Sequence, residues 1–117
     1  MSAKTDLRAA LAAYAPLTAL VGTRISADRI EQDAGRPFVV FTQTGQDKHR
    51  GLDGSSNGSQ TAIEVQCWGD TRTSADAVAD AVEAALDALY QHATNRADGY
   101  DGDLDLEAAI LTVDWWD

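Results

Sequence analysis

Two hydrophobic patterns follow each other in the middle of the chain and predict a strand and then a helix. In residues 59–68, apolar side chains at every second position share one face of the strand. They are Ile63, Val65 and Cys67. After a break at Gly69, residues 73–90 carry apolar side chains at helical spacing. They are Val78, Val82, Leu86 and Leu89. A strand and a helix with one apolar side each bury these sides together, so this pair is the predicted centre of the fold.

A leucine-bearing pattern near the start of the chain predicts another helix. Thr5 is a suitable N-cap, because its side-chain oxygen accepts a free backbone N–H at a helix start. Pro16 interrupts the pattern, and one further turn is predicted to end at Gly22. The apolar positions are Leu7, Leu11, Tyr14, Leu17, Leu20 and Val21.

Two more stretches are predicted to be strands. Residues 38–44 are rich in β-branched and aromatic side chains and start apolar on both faces, which indicates a central position or cover on both sides. Residues 107–116 place Ala109, Leu111, Val113 and Trp115 on one face. Residues 24–30 are either a weak edge strand or an irregular connection.

Two polar stretches, residues 45–58 and 93–104, contain many turn-forming residues and no periodicity, and both are predicted to be mobile loops. Hairpin-joined strands favour antiparallel pairing. The predicted fold is therefore α+β, a small and mainly antiparallel sheet of about three to five strands with two helices packed on it. The length favours a single domain over residues 1–117.

Composition and charge argue against some classes of binding partner. The chain is 44% hydrophobic and 24% charged, as is usual for globular proteins, and its formal charge is -10. Such a charge opposes binding to a phosphate backbone. The single cysteine excludes an intrachain disulfide, and the first residues lack the apolar run of a signal peptide, so we expect the cytoplasm of the producing cell and no membrane.

The candidate catalytic and metal-binding residues do not match the spacing of known motifs. The acidic stretch Asp98, Asp101, Asp103, Asp105 and Glu107 suggests calcium, but an EF-hand starting at Asp101 would need Gly where Leu106 stands. A solvated acidic loop is the better interpretation. His49 and His92 have no local signature that pairs them with Cys67 as a nucleophile. We predict no catalytic residue, metal or cofactor, although an enzyme or ligand-binding domain with an unrecognised site stays open.

Aromatic and basic residues are the candidate contacts. Trp115 and Trp116 are neighbours in a strand and so face opposite sides, and Trp68 faces away from the main core. All three are candidate interface residues, since interfaces are enriched in tryptophan. The alternative is a second small apolar cluster beneath a loop.

The stretch Lys48, His49, Arg50 and Leu52 is a candidate docking loop on an otherwise acidic chain. The alternative is that these cations only keep the surface hydrated. Both interpretations remain open at this stage.

Five stretches in order resemble a known family over nearly the whole chain. They are ALVGTRI (19–25), RPFVVF (36–41), GLDG (51–54), VQCW (65–68) and the alanine-rich helix 75–89, before a final strand. This arrangement resembles the tail completion, or head-to-tail joining, proteins of tailed phages and prophages.

The resemblance implies a non-enzymatic virion protein with a fold like that of tail terminators. It implies a ring of about six copies at the head-proximal end of the tail. The implied partners are other copies of itself, the tail tube protein, the head connector or head completion protein, and DNA that passes without sequence-specific binding. A minor tail or connector protein elsewhere in the junction is the alternative within this class.

Overall fold

The computed structural model describes residues 3–22, 24–27, 36–50, 56–89, 91–103 and 105–116. They form three helices and five strands, which confirms the α+β prediction. The elements are α1 (Ala3–Ala13), α2 (Ala15–Val21), β1 (Ile25–Ala27), β2 (Phe38–Arg50), β3 (Ser56–Gly69), α3 (Arg72–Asp87), β4 (His92–Asp101) and β5 (Leu106–Trp116). No helix in this described part is long and apolar enough to cross a membrane.

The five strands form one sheet in the order β1-β2-β3-β5-β4. The β1–β2 pair is parallel and the other three pairs are antiparallel. The inward side chains of β2, β3 and β5 share one core cluster with residues of α1, α2 and α3. The helices therefore cover one face of the sheet.

The predicted central pair is confirmed. The inward residues of β3 and the helix residues Val78, Val82 and Leu86 are buried against each other. Burial of one such side chain stabilises the fold by about 1.5–3 kcal/mol. Leu89 was wrongly placed on this face: α3 ends at Asp87, two residues earlier, and Leu89 is 45% exposed.

The first predicted helix is two helices in the structure. The N-cap prediction for Thr5 was wrong, because α1 already begins at Ala3 and Thr5 lies inside its first turn. The chain turns at Tyr14, and Pro16 then lies in the first turn of α2, where its missing N–H costs nothing. Gly22 ends α2 as predicted: its φ of 59° is in the left-handed region, and its N–H donates to the Thr18 carbonyl at 2.8 Å.

The strands are longer than the hydrophobic pattern indicated. The loop prediction for residues 45–58 was wrong for the described part, because β2 runs to Arg50 and β3 begins at Ser56. The loop prediction for 93–104 was wrong over 93–101, which belong to β4. Pairing with a neighbouring strand satisfies the backbone N–H and C=O groups of these polar segments and overrides their weak strand propensity. Residues 51–55 lie outside the described residues.

At the other edge, residues 25–27 are the parallel edge strand β1, and residues 28–30 lie outside the described residues. The start of β2 is apolar on both faces, as predicted. Val39 and Phe41 belong to the main core, whereas Phe38 and Val40 form a second cluster with Leu106 on the other face of the sheet.

Candidate functional site

Trp68 lies on the sheet face away from the helices. Its ring stacks on Phe38 with the ring centroids 6.4 Å apart and packs against the second apolar cluster. Its Nε1–H donates to Gln66 at 3.1 Å, and the Gln66 amide donates to Glu64 at 2.7 Å. Trp68 is half-buried. Its outward direction was predicted, as was the possibility of a second cluster.

Trp115 lies on the sheet face that is covered by the helices. It is only 6% exposed and belongs to the main core, and its role at an interface stays a prediction. The physical reason is its register: Trp115 has the same parity along β5 as Leu111 and Val113, which face the helices. Trp116 ends β5, and its side chain lies outside what the structure describes, so its role stays a prediction.

The predicted docking loop is the end of a β-ribbon. Lys48, His49 and Arg50 are the last three residues of β2, while Leu52 lies outside the described residues. We define the ribbon as residues 48–50 with residues 56–59. These strand ends pair with each other, whereas the pairing of β3 with the described part of β5 begins at Gln60. The molecule is elongated, with extents of 52 × 28 × 23 Å.

The opposite end of the sheet is acidic. We define the acidic end as the last residues of β4, the first of β5 and the turn between them, with Asp98, Asp101, Asp103, Asp105 and Glu107. The Tyr100 hydroxyl donates to Asp105 at 2.9 Å, and the Asp103 N–H donates to the Asp101 carboxylate at 3.0 Å. The hydrogen bond to Asp105, with the charge of that carboxylate, raises the pKa of Tyr100.

Arg72, at the start of α3, organises the acidic end. Its guanidinium donates to Asp98 at 3.0 Å and to Glu107 at 2.8 Å, and also to the backbone carbonyls of Gly99 (3.0 Å) and Ala108 (2.6 Å). Partial burial lowers the pKa of Arg72, but the hydrogen bond to Glu107 and the surrounding carboxylates outweigh it and raise the pKa above its ordinary value. Arg72 therefore stays charged and holds helix, turn and strands together.

Arg96 on β4 makes a second link to α3. It donates to Asp80 at 2.8 Å, Glu83 at 3.0 Å and Asp76 at 3.4 Å, which follow one another along one side of the helix. The hydrogen bond to Asp80 is the main reason that the pKa of Arg96 is raised. Sequence reasoning missed both arginines. The helical spacing of the three acidic residues was a signal for a basic partner, but only the strand register identifies that partner.

A concave site among the described residues lies beside the first two helices. A depression of about 400 Å³ between the first two helices is lined by Arg8, Ala12, Thr18, Gly22 and Ile25. The Thr18 hydroxyl in this lining already donates to the Ala15 carbonyl at 3.1 Å. The described residues also contain no group of three or more His, Cys, Asp or Glu placed to hold a metal ion. The sheet edges, the ribbon and the acidic end are the more distinctive surfaces.

Comparison with solved structures identifies a chain with a similar fold. The fold is similar to that of a chain in the solved structure described as "Virion of native gene transfer agent (GTA) particle", with a TM-score of 0.68 and 19% identity over 93% of this chain and 92% of that chain. At this identity the likeness shows the fold. No curated protein shows significant similarity to the chain.

The family comparison covers almost the full length. The sequence profile described as "Tail completion protein gp17" matches residues 5–116. This match confirms the resemblance drawn from the five ordered stretches of sequence. Because it spans far more than half of the chain, the protein belongs to the tail completion protein gp17 family.

Proposed function

We propose that this protein is a structural, non-enzymatic component of a phage or prophage virion that ends the tail tube at its head-proximal end and joins the tail to the head. The observation that carries the proposal is the family match over residues 5–116. The likeness in fold to a chain of a gene transfer agent particle supports the same setting, since that chain comes from a virion.

The proposed working form is a ring of about six copies, with residues 1–117 of each acting as a single domain. Two different sheet edges support this form, β1 with β2 on one side and β4 on the other. An interface that joins two different surfaces closes into a ring when each step rotates by the right angle. Trp68 and Trp116 are proposed as contact residues, Trp68 because it is only half-buried and lies on the outer sheet face.

The proposed mechanism is binding. The ring pairs with the last subunits of the tail tube protein, which stops further addition, and presents its other side to the head connector or head completion protein. The formal charge of -10 supports a channel through which DNA passes without being held. The proposed location is the head–tail junction of the virion, with the host cytoplasm as the site of assembly.

Electron microscopy of particles made without this gene tests the proposal. The gene is deleted in the phage or prophage that carries it, the lysate is imaged, and a plasmid copy provides the control. We expect DNA-filled heads separated from tails, or tails of uncontrolled length, and normal particles when the plasmid copy is present. Separated heads and tails indicate joining, and uncontrolled tail length indicates termination.

Two outcomes would contradict the proposal. Normal infectious particles from the deletion strain would exclude both roles and direct attention to a ligand-binding or enzymatic function. Attached tails of normal length with a defect at another place would indicate a minor tail or connector protein instead.

A further inference from the structure

We propose that the depression between the first two helices binds the carboxylate side chains of an acidic segment on a partner protein. Arg8 and Arg24 are the residues that recognise these carboxylates. Under the proposed function, on which this inference rests, the partner is a neighbouring protein of the virion. The inference adds the chemistry by which that partner is held.

The first observation is that two arginines have no carboxylate partner. Arg36, Arg72 and Arg96 each form at least one ion pair with Asp or Glu, with closest N···O distances of 3.2, 2.8 and 2.8 Å. Arg8 and Arg24 form none with the residues that the structure describes, although the chain has nineteen acidic residues. Their charges are therefore left for a carboxylate that comes from another molecule.

The second observation is that both arginines lie at the same depression. Arg8 is exposed and lines it, as does Gly22, where α2 ends. The Arg24 Nη1 atom lies 3.6 Å from where a Cβ on Gly22 would be. Arg24 Nε donates to the Pro37 carbonyl at 2.9 Å and Nη2 to the Leu20 carbonyl at 3.4 Å. One of the two guanidinium groups is therefore held in place before binding, which lowers the entropic cost of binding.

The third observation is that the depression selects an acceptor with a negative charge. The Thr18 hydroxyl donates to the Ala15 carbonyl, and the Gly22 N–H donates to the Thr18 carbonyl. The two guanidinium groups supply the donors for a ligand, in the planar arrangement that matches a carboxylate. Ala12 and Ile25 add apolar surface for the methylene groups of Glu. The volume of about 400 Å³ is within the usual range of ligand sites.

The charge of the whole chain favours an acidic segment of a different protein over DNA or a second copy. The formal charge of -10 opposes a polyanion such as DNA, and a second copy would bring the same charge of -10. A short acidic segment brings only a few charges. Since charges more than about 8 Å away are screened at physiological salt, the two nearby arginines dominate its binding.

Amide NMR titration of the purified full chain at about 0.15 M NaCl tests the inference. The probe is the peptide acetyl-Ala-Glu-Leu-Glu-Ala-amide, and the control peptide has Gln in place of both Glu residues. We expect the amide signals of Thr18, Gly22 and Ile25 to shift with a dissociation constant of about 1 mM. The signal of Val65 in the main core should stay unchanged. The Gln peptide should bind at least about tenfold more weakly, because hydrogen bonds to a charged group are stronger.

Two variants and a matched control locate the site. Arg8→Gln and Arg24→Gln should each weaken binding of the Glu peptide about tenfold. Arg96→Gln makes the same charge change on β4, at the other edge of the sheet, and should leave binding unchanged although it removes ion pairs to α3. Circular dichroism checks that each variant folds. Arg8 has no ion pair to lose in the described part, so Arg8→Gln decides the test if Arg24→Gln does not fold.

Several results would overturn the inference. Equal binding of the Glu and Gln peptides, or no shift up to about 10 mM peptide, would exclude recognition of a carboxylate. Equally tight binding of free glutarate would indicate a small carboxylate as the ligand. Tighter binding of a short DNA duplex at the same amides would indicate a phosphate. An equal loss of binding in Arg8→Gln and Arg96→Gln would show that only the net charge matters.

The outcome of the titration is separate from that of the gene deletion. Peptide binding at the depression, with normal particles in the deletion lysate, would leave this site standing and exclude the proposed function. Separated heads and tails in that lysate, without peptide binding, would exclude this inference alone.

Discussion

At the scale of single residues, Cys67 shows how burial determines chemistry. Its side chain is fully buried in the main core, on the inward face of β3 where the alternating pattern placed it. Burial is the main cause that raises the pKa of the thiol from 9.0 to about 12, and the Arg96 charge offsets a part of this. The thiolate is the reactive form of cysteine, so Cys67 behaves as a small apolar core residue.

The raised pKa of Cys67 predicts a loss of stability at alkaline pH. The native state binds the thiol proton more tightly than the unfolded state does. The contribution of this proton to the free energy of unfolding is therefore complete below pH 9.0 and is lost as the pH rises towards 12. Relative to Cys67→Ala, the wild-type chain should lose about 2 kcal/mol of unfolding free energy between about pH 8 and pH 11. Urea unfolding at a series of pH values measures the difference, and parallel curves for the two proteins would contradict it.

At the scale of elements, the end of β3 lies very close to the first turn of α3. Thr71 caps the helix by accepting a hydrogen bond from the Ser74 N–H at 3.0 Å. Gly69 ends the strand so near to this turn that an added Cβ would lie 2.6 Å from Ser74 Oγ and 2.9 Å from the Ala75 nitrogen. The position therefore requires a residue without a side chain.

Gly69→Ala should destabilise the fold by about 1–3 kcal/mol, since backbone must move to admit the methyl group. Gly45→Ala is the matched control: a Cβ at Gly45 meets nothing within 4 Å, and we expect a change of at most about 0.5 kcal/mol. Urea unfolding of both variants at neutral pH measures the effect. Equal stabilities would show that the turn adapts without cost.

At the scale of the whole molecule, the packing of strands against neighbouring strands and helices differs along the long axis. The Cα radius of gyration is 14.9 Å, compared with about 13 Å for a compact chain of this length. The main core lies under the helices, where β3 has strands on both sides and α3 above it. The ribbon extends beyond this core with one pair of strands.

Amide hydrogen exchange should reproduce this gradient. In dilute protein we expect the amides of Val65 and Leu111 to exchange only through global unfolding. Amides of the ribbon should exchange at least about a hundredfold faster through local opening. Ribbon amides as well protected as those of the core in dilute solution would refute this picture.

The sequence by itself determined which side chains face the core. The periodicity of residues 63–67, 78–86 and 109–115 is local, because backbone geometry alone assigns successive side chains to the faces of a strand or helix. The inward Cys67, the outward Trp68 and the end of α2 at Gly22 follow from such local rules. The order of short matching stretches likewise sufficed to identify the family.

Only the tertiary structure decided where polar segments become strands and which charges meet. Residues 45–50 and 93–101 have no apolar period, and they are strands because β3 and β5 pair with their backbones. Arg72 reaches residues 26 to 36 positions away along the chain. Leu89 is exposed because the helix stops short of it. The strand pairing and the contacts of Arg72 depend on partners that are distant in sequence, and local periodicity carries no information about such partners.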